Sequence, residues 1–202
     1  MEDESAKITG VVLAGGRAQR MGGKDKGLVV YRGRPLVAYA LAALRQVTET
    51  ILINANRNPA EYVGFGYPVL PDPTNSFDGP LAGLLCAMQT AQTDFVLSVP
   101  CDCPQLDGNL LGRLHATLMA TAGAEICVAH DGKRMQPLFL IAQRCLASDL
   151  SAYLASGQRK VETWLRSQRL ALADCSDHPE WFVNINTLDE LERLESGQAF
   201  TP

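Results

Sequence analysis

Short runs rich in β-forming residues alternate with stretches of helical periodicity along almost the whole chain, and this rhythm limits the fold more than any other feature. The β-like runs are residues 8–14 (ITGVVLA), 50–54 (TILIN), 67–71 (YPVLP), 94–100 (DFVLSVP), 125–130 (EICVAH) and 136–141 (QPLFLI). Between them, residues 35–46 begin with Pro35 and repeat Leu36, Tyr39, Ala40, Ala43 and Leu44 at helical spacing; residues 80–90 and 109–122 read the same way. A proline suits a first helical turn, and apolar residues at three- and four-residue intervals mark one helix face. Strands separated by helices of this length pair in parallel through crossovers. The expectation is therefore an α/β three-layer sandwich, Rossmann-like, on a mostly parallel sheet, with ligands at the carboxyl ends of the strands. The segment 187–197 adds a last helix, with Thr187 as N-cap and Glu190 closing a capping box.

A chain of 202 residues, 47% hydrophobic and with no linker or repeat to divide it, is expected to form a single domain over residues 1–202. Its net charge of -4 offers no general attraction to nucleic acid or to anionic lipid. No stretch reaches the apolar length of a membrane span, and the acidic start MEDESAKITG is unlike a secretory signal, so a cytoplasmic location is expected. Six scattered cysteines read as reduced core thiols. Cys101 and Cys103 lack the spacing of a structural zinc site, and His115, His130 and His178 pair with no nucleophile at a motif spacing.

Any anion must therefore be held locally, and the loop after the first strand is built for that. Gly15-Gly16 and Gly22-Gly23 free the backbone N–H groups to converge, while Arg17, Arg20, Lys24 and Lys26 supply charge for a triphosphate. It is not a P-loop, because Asp25 follows Gly23-Lys24 where Ser or Thr is required, and the glycine spacing is not that of a dinucleotide fingerprint. Asp102 stands just after the apolar run 94–100. A carboxylate there is poorly explained by packing and suits magnesium facing a bound triphosphate; a turn or helix-cap role is the other reading. Asn54 and Asp72 fall along the same carboxyl edge, where a nucleoside would lie, although each is also an ordinary turn residue. Arg159-Lys160 after a glycine can grip a monophosphate. Asn184 and Asn186 alternate on one face of an extended segment, suited to a pterin edge or an extra metal ligand.

The stretches LAGGRAQRMGGKDKGL (residues 13–28) and RGRPL (32–36), followed in order by INANR, GPLAGL, PCDCP, GQRKV and FVNINT, resemble nucleotidyltransferases that activate sugars and cofactors. Within that superfamily the chain is most similar to the molybdenum cofactor guanylyltransferase (MobA) family, with Leu-Ala-Gly-Gly where cytidylyltransferases tend to carry Leu-Ala-Ala-Gly. The resemblance implies transfer of GMP from GTP to the terminal phosphate of molybdopterin, with Mg2+ as cofactor and release of pyrophosphate. It implies an N-terminal half that binds GTP and a C-terminal half that binds molybdopterin. Residue by residue it assigns nucleotide contacts to Leu13, Ala14, Gly15, Gly16 and Lys26, and to Asn54, Asp72, Gly83 and Asp102, with Gly83 leaving room for the base. It gives catalysis to Arg20, Lys26 and Asp102, implies that Asp102 is the metal ligand, and assigns molybdopterin contacts to Arg159, Lys160, Asn184 and Asn186. Cofactor-delivering or molybdoenzyme-chaperone proteins are the implied partners; neither nucleic acid nor membrane is. The alternatives are a cytidylyltransferase or sugar-phosphate nucleotidyltransferase of the same fold, or a nucleotide-binding module without catalysis. Two departures bear on specificity: Pro71 and Pro73 bracket Asp72, and Met135-Gln136 precedes Pro137.

Overall fold

The computed structural model describes residues 8–16, 25–72 and 79–196. Arg17, Arg20, Gly22, Gly23, Lys24 and Pro73, singled out above, lie outside them. Seven strands form the central sheet: β1 (Ile8–Leu13), β4 (Thr50–Asn54), β5 (Val69–Leu70), β6 (Phe95–Pro100), β7 (Ile126–His130), β8 (Met135–Gln143) and β9 (Leu170–Asp174). Two short strands, β2 (Val30–Tyr31) and β3 (Arg34–Pro35), make a separate hairpin turned at Arg32-Gly33, both with positive φ. The order across the large sheet is β5-β4-β1-β6-β8-β7-β9. Every pairing is parallel except those of β8, which runs against β6 and β7. The expected parallel pairing through crossovers thus fails at one strand. Only residues 131–134 join β7 to β8, too few for a crossover, so the chain reverses as a hairpin.

Helices α1 (Leu36–Leu44), α2 (Pro59–Val63), α3 (Pro80–Thr90), α4 (Gly108–Ala120), α5 (Ala147–Ala155), α6 (Val161–Arg166) and α7 (Leu188–Glu195) complete the chain. Pro35 caps α1 rather than entering its first turn. Strand alternation divides the buried side chains between the two sheet faces. Val12, Leu97, Val99 and Cys127 pack with Leu41 and Leu44 of α1 and Leu110 and Leu114 of α4; Val11, Val96 and Val128 pack with Leu84 and Met88 of α3 and with Trp164. A third small core joins Val29, Tyr31 and Leu36 to Ile185 and Leu194, which fastens α7 and the segment before it against the β2–β3 hairpin. The Thr187–Glu190 capping box is present, and Glu190 Oε2 also accepts from the backbone N–H of Asn186 at 2.5 Å.

Differences from expectation have local causes. Of residues 67–71 only Val69 and Leu70 pair, with Ile53 and Asn54, and β9 is an edge strand whose alternate exposure carries a weak β signal. Among the six cysteines Cys145 is exposed and Cys86 half-buried, so only the other four are core thiols. Among the described residues no helix is long and apolar enough to cross a membrane.

Candidate functional site

The chain runs from β1 outward through β4 to β5, then returns past β1 to β6, so the connections diverge between β1 and β6. Neighbouring loops there leave in opposite directions and open a crevice at the strand ends. Leu13 pairs in register with Asn54 on one side and with Pro100 on the other. Ala14 N–H donates to the Asn54 carbonyl at 2.8 Å, and Cys101 N–H donates to the Leu13 carbonyl at 3.2 Å. The start of the glycine-rich loop, Asn54 and the Asp102 turn are thereby fixed around one strand end.

Lys26 reaches the Asp102 turn at that strand end. It opens a 3-10 turn (Lys26–Leu28) whose N-cap is Asp25. Its ammonium forms an ion pair with the Asp102 carboxylate and donates to Asn186 Oδ1 at 2.8 Å. Asn186 arrives from the far end of the chain because Ile185 is fully buried in the third core and its N–H donates to the Asp102 carbonyl at 3.0 Å. A carboxylate and a carboxamide oxygen from elements 84 residues apart in sequence thus converge on one cationic group. Among the described residues no group of three His, Cys, Asp or Glu side chains could hold a metal. The thiols beside it are inert: burial first, and then the negative charge of Asp102, push Cys101 and Cys103 up.

On the β4–β5 side a second polar group is closed on itself. Asn54, 3% exposed, donates to Asp72 Oδ1 at 2.9 Å and to the Leu70 carbonyl at 3.1 Å. Asn56 donates to Asp72 Oδ2 at 2.6 Å and accepts from the Asp72 backbone N–H at 2.7 Å. The space at Gly83 is taken by Asn54 itself: a Cβ there would lie 2.2 Å from Asn54 Oδ1. What the missing side chain makes room for is therefore the asparagine that carries Asp72.

On the other side of Asp102 a pocket of about 300 Å³ is lined by Asp102, Arg134, Gln136, Glu162, Phe182 and Asn184 among others. Gln136 Nε2 donates to Asp131 Oδ2 at 2.6 Å. Asp131 Oδ1 accepts from the Lys133 and Arg134 backbone N–H groups, both at 2.8 Å. Although partial burial opposes its charge, these backbone and side-chain donors hold the Asp131 carboxyl below its usual range. The amide orientation of Gln136 follows: its nitrogen must face the acceptor-only carboxylate, which leaves Oε1 as an acceptor elsewhere. Arg159 and Lys160 do not line this pocket. They lie in the exposed turn between α5 and α6, where Arg159 donates to the Leu154 and Gln158 carbonyls, both at 2.7 Å. The expected alternation of Asn184 and Asn186 holds in an irregular segment rather than a strand, with Asn184 on the pocket and Asn186 on Lys26. Asp25, Asn56, Asn58 and Tyr62 support the site, and Arg134, Glu162 and Phe182 line the pocket, without any motif that assigns them those roles; the alternation Asn54, Asn56, Asn58 is the one sequence signal that points to the first group.

Comparison with known proteins agrees with this fold. Among solved structures, molybdopterin-guanine dinucleotide biosynthesis protein A from Archaeoglobus fulgidus superposes with a TM-score of 0.76 at 21% identity, covering 93% of this chain and 97% of that one. A cytidylyltransferase from Leptospira borgpetersenii gives 0.73 at 16% identity, over 94% and 85%. These likenesses establish a fold shared by nucleotidyltransferases of differing nucleotide. In sequence, the molybdenum cofactor guanylyltransferase of Shewanella loihica is 44% identical over 195 residues, 96% of this chain and 99% of that protein. With the profile described as MobA-like NTP transferase domain matching residues 10–173, the chain belongs to the MobA-like NTP transferase family.

Proposed function

We propose that this chain is a molybdenum cofactor guanylyltransferase, an enzyme that transfers GMP from GTP to the terminal phosphate of molybdopterin and releases pyrophosphate. The observation that carries the reading is the meeting of Lys26, Asp102 and Asn186 at the point where the sheet connections diverge, in a chain 44% identical to proteins of that name. The N-terminal half would bind GTP and the C-terminal half molybdopterin, within one domain.

An oxygen of the acceptor phosphate attacks the α-phosphorus in line; the bond from that phosphorus to the bridging oxygen breaks, and pyrophosphate leaves. The phosphate nucleophile is already anionic near neutral pH, so the chain needs no Ser-His or Cys-His device. Its task is alignment and charge neutralisation. Magnesium fits the oxygen donors Asp102 and Asn186, whose common contact with the Lys26 ammonium marks a cation-favouring point; bound there, it would neutralise charge on the reacting phosphates. Lys26 and Arg20 would grip the triphosphate, with the backbone of Leu13, Ala14, Gly15 and Gly16 beside it. Asn54 and Asp72 would receive the nucleoside, with Gly83 admitting Asn54. The acceptor would enter the pocket of Arg134, Gln136 and Asn184, next to Asp102, with Arg159 and Lys160 reaching its phosphate from the α5–α6 turn. The compartment is proposed to be the cytoplasm, and cofactor-delivering or molybdoenzyme-chaperone proteins are the proposed partners.

The test is incubation with each radiolabelled nucleoside triphosphate in turn, with magnesium and molybdopterin. Guanine dinucleotide formation from GTP is expected; preferential incorporation of CMP would reject the assignment, and binding without transfer would make the chain a non-catalytic module.

A further inference from the structure

The five residues Asn54 to Asn58 start at the last residue of β4 and carry an asparagine at every second position. The first, Asn54, holds Asp72. The second, Asn56, holds Asp72 as well, and its Nδ2 also donates to the Gly15 carbonyl at 3.3 Å. The third, Asn58, donates through Nδ2 to Asp25 Oδ2 at 3.1 Å. Gly15 and Asp25 bound the glycine-rich stretch, one at its start and the other directly before Lys26. Alternate side chains of one short loop thus reach both of them and the proposed nucleoside edge too.

The attachments are tight. A Cβ on Gly15 would stand 2.8 Å from Asn56 Nδ2, so residue 15 lets the asparagine approach the backbone. Asp25 is 8% exposed and its other oxygen accepts from Tyr62 Oη at 2.6 Å and from Gly27 N–H at 3.3 Å. A buried carboxylate is costly unless donors surround it, and here Asn58, Tyr62 and Gly27 do so. Asn58 itself sits at φ 46, ψ 42, a left-handed conformation that asparagine tolerates better than most side chains and that turns the chain into α2.

We infer that Asn56 and Asn58 are positioning residues for triphosphate binding: Asn56 fixes the start of the glycine-rich stretch to Asp72, and Asn58, through Asp25, sets where the Lys26 ammonium lies. The inference rests on the reading that GTP binds at this edge. One loop then links nucleoside and triphosphate contacts, so a disturbance at either asparagine is felt at the phosphate grip.

The test measures Mg-GTP affinity by calorimetry for the full chain and its variants. Asn58→Gly removes the carboxamide and keeps the left-handed backbone accessible. Both Asn58→Gly and Asn56→Ala are expected to weaken Mg-GTP binding about five- to tenfold, the effect of losing one buried hydrogen-bond anchor. A double-mutant cycle separates positioning from general structure. If Asn58 acts through Lys26, Asn58→Gly made in the Lys26→Ala background should weaken binding by less than about twofold further; equal effects in both backgrounds would overturn the role. If Asn58→Gly fails to fold by circular dichroism, Tyr62→Phe, which removes another donor from the same carboxylate at similar volume, carries the same expectation and the same cycle. Absence of Mg-GTP binding by the unaltered chain overturns the underlying reading and this inference with it. Tight binding by the unaltered chain with undiminished binding by folded variants overturns the inference alone.

Discussion

The two halves of the sheet edge hold their polar groups differently. Along β5, β4, β1 and β6 they are satisfied by one another: Asn54 and Asn56 by Asp72, Asn58 and Tyr62 by Asp25, Lys26 by Asp102 and Asn186. Along β8 and the segments beside it they face a pocket, where Asn184 is exposed and the side chains of Arg134 and Glu162 make no hydrogen bond among the described residues. A group that is buried and mutually bonded leaves an orphaned partner when removed, whereas one at a pocket wall leaves water in its place. Loss of function and loss of stability should therefore travel together in the first half and separate in the second.

The largest effect is expected at the junction of the two. Asp102→Asn keeps the shape and removes the charge, and turnover should fall roughly a hundredfold or more, the scale of losing one electrostatic contact to a developing transition state. GTP affinity should weaken less. Turnover followed across a magnesium titration checks this, and a near-normal rate with unchanged magnesium dependence would reduce Asp102 to a turn residue. Next in size is Gly83→Ala, which sets a methyl group against Asn54 Oδ1. It should lower stability by about 1–3 kcal/mol, as overpacking does, and weaken GTP binding in the same variant. Urea unfolding and calorimetry read the two; loss of one without the other would break the contrast between the halves.

How much of this could be read from the chain depends on distance along it. Alternation made β1, β4, β6, β7 and β8 visible because each carries its own apolar pattern, and the family stretches marked Lys26, Asn54 and Asp102. The β2–β3 hairpin has two residues in each strand, too few for a period, and β9 reads as a polar edge. The antiparallel course of β8 was already implied by the short gap between 130 and 136, where no crossover fits. Partnerships were another matter. Asp25 and Tyr62 stand 37 residues apart and Lys26 and Asn186 stand 160 apart, with no motif to join them. Arg159-Lys160 marks a basic pair in the sequence, but that it stands on the exposed α5–α6 turn beside the pocket's elements and not in its wall is visible only in the fold.

In the second half, Arg134→Ala should raise the KM for molybdopterin severalfold, since it removes one polar contact at the pocket wall. GTP affinity should stay as it was, and stability should remain within about 0.5 kcal/mol, as for surface changes away from the core. A fall in stability comparable to that of Gly83→Ala would show that the two halves are built alike.

The smallest effect concerns something the halves should share, the buried thiols beneath them. Burial pushes Cys101 up under the first half and, more moderately, pushes Cys127 up to about 12 under the second. Each thiol ionises near 9 when the chain is unfolded and stays protonated when folded, so the unfolded state releases the proton first. Their contribution is therefore fully present well below pH 9 and is lost as pH rises through and above it, with a slope of about 1.4 kcal/mol per pH unit for each thiol once the unfolded state is fully ionised. Between pH 8 and 9.5 the loss should be a little under 1 kcal/mol per thiol. Cys127→Ala and Cys101→Ala should each lower stability overall, through the volume they remove, yet flatten its decline over that range by the same amount. Urea midpoints at several pH values measure the slopes. If only Cys101→Ala flattened the decline, the halves would differ in how dry their cores are as well as in how their polar groups are bonded.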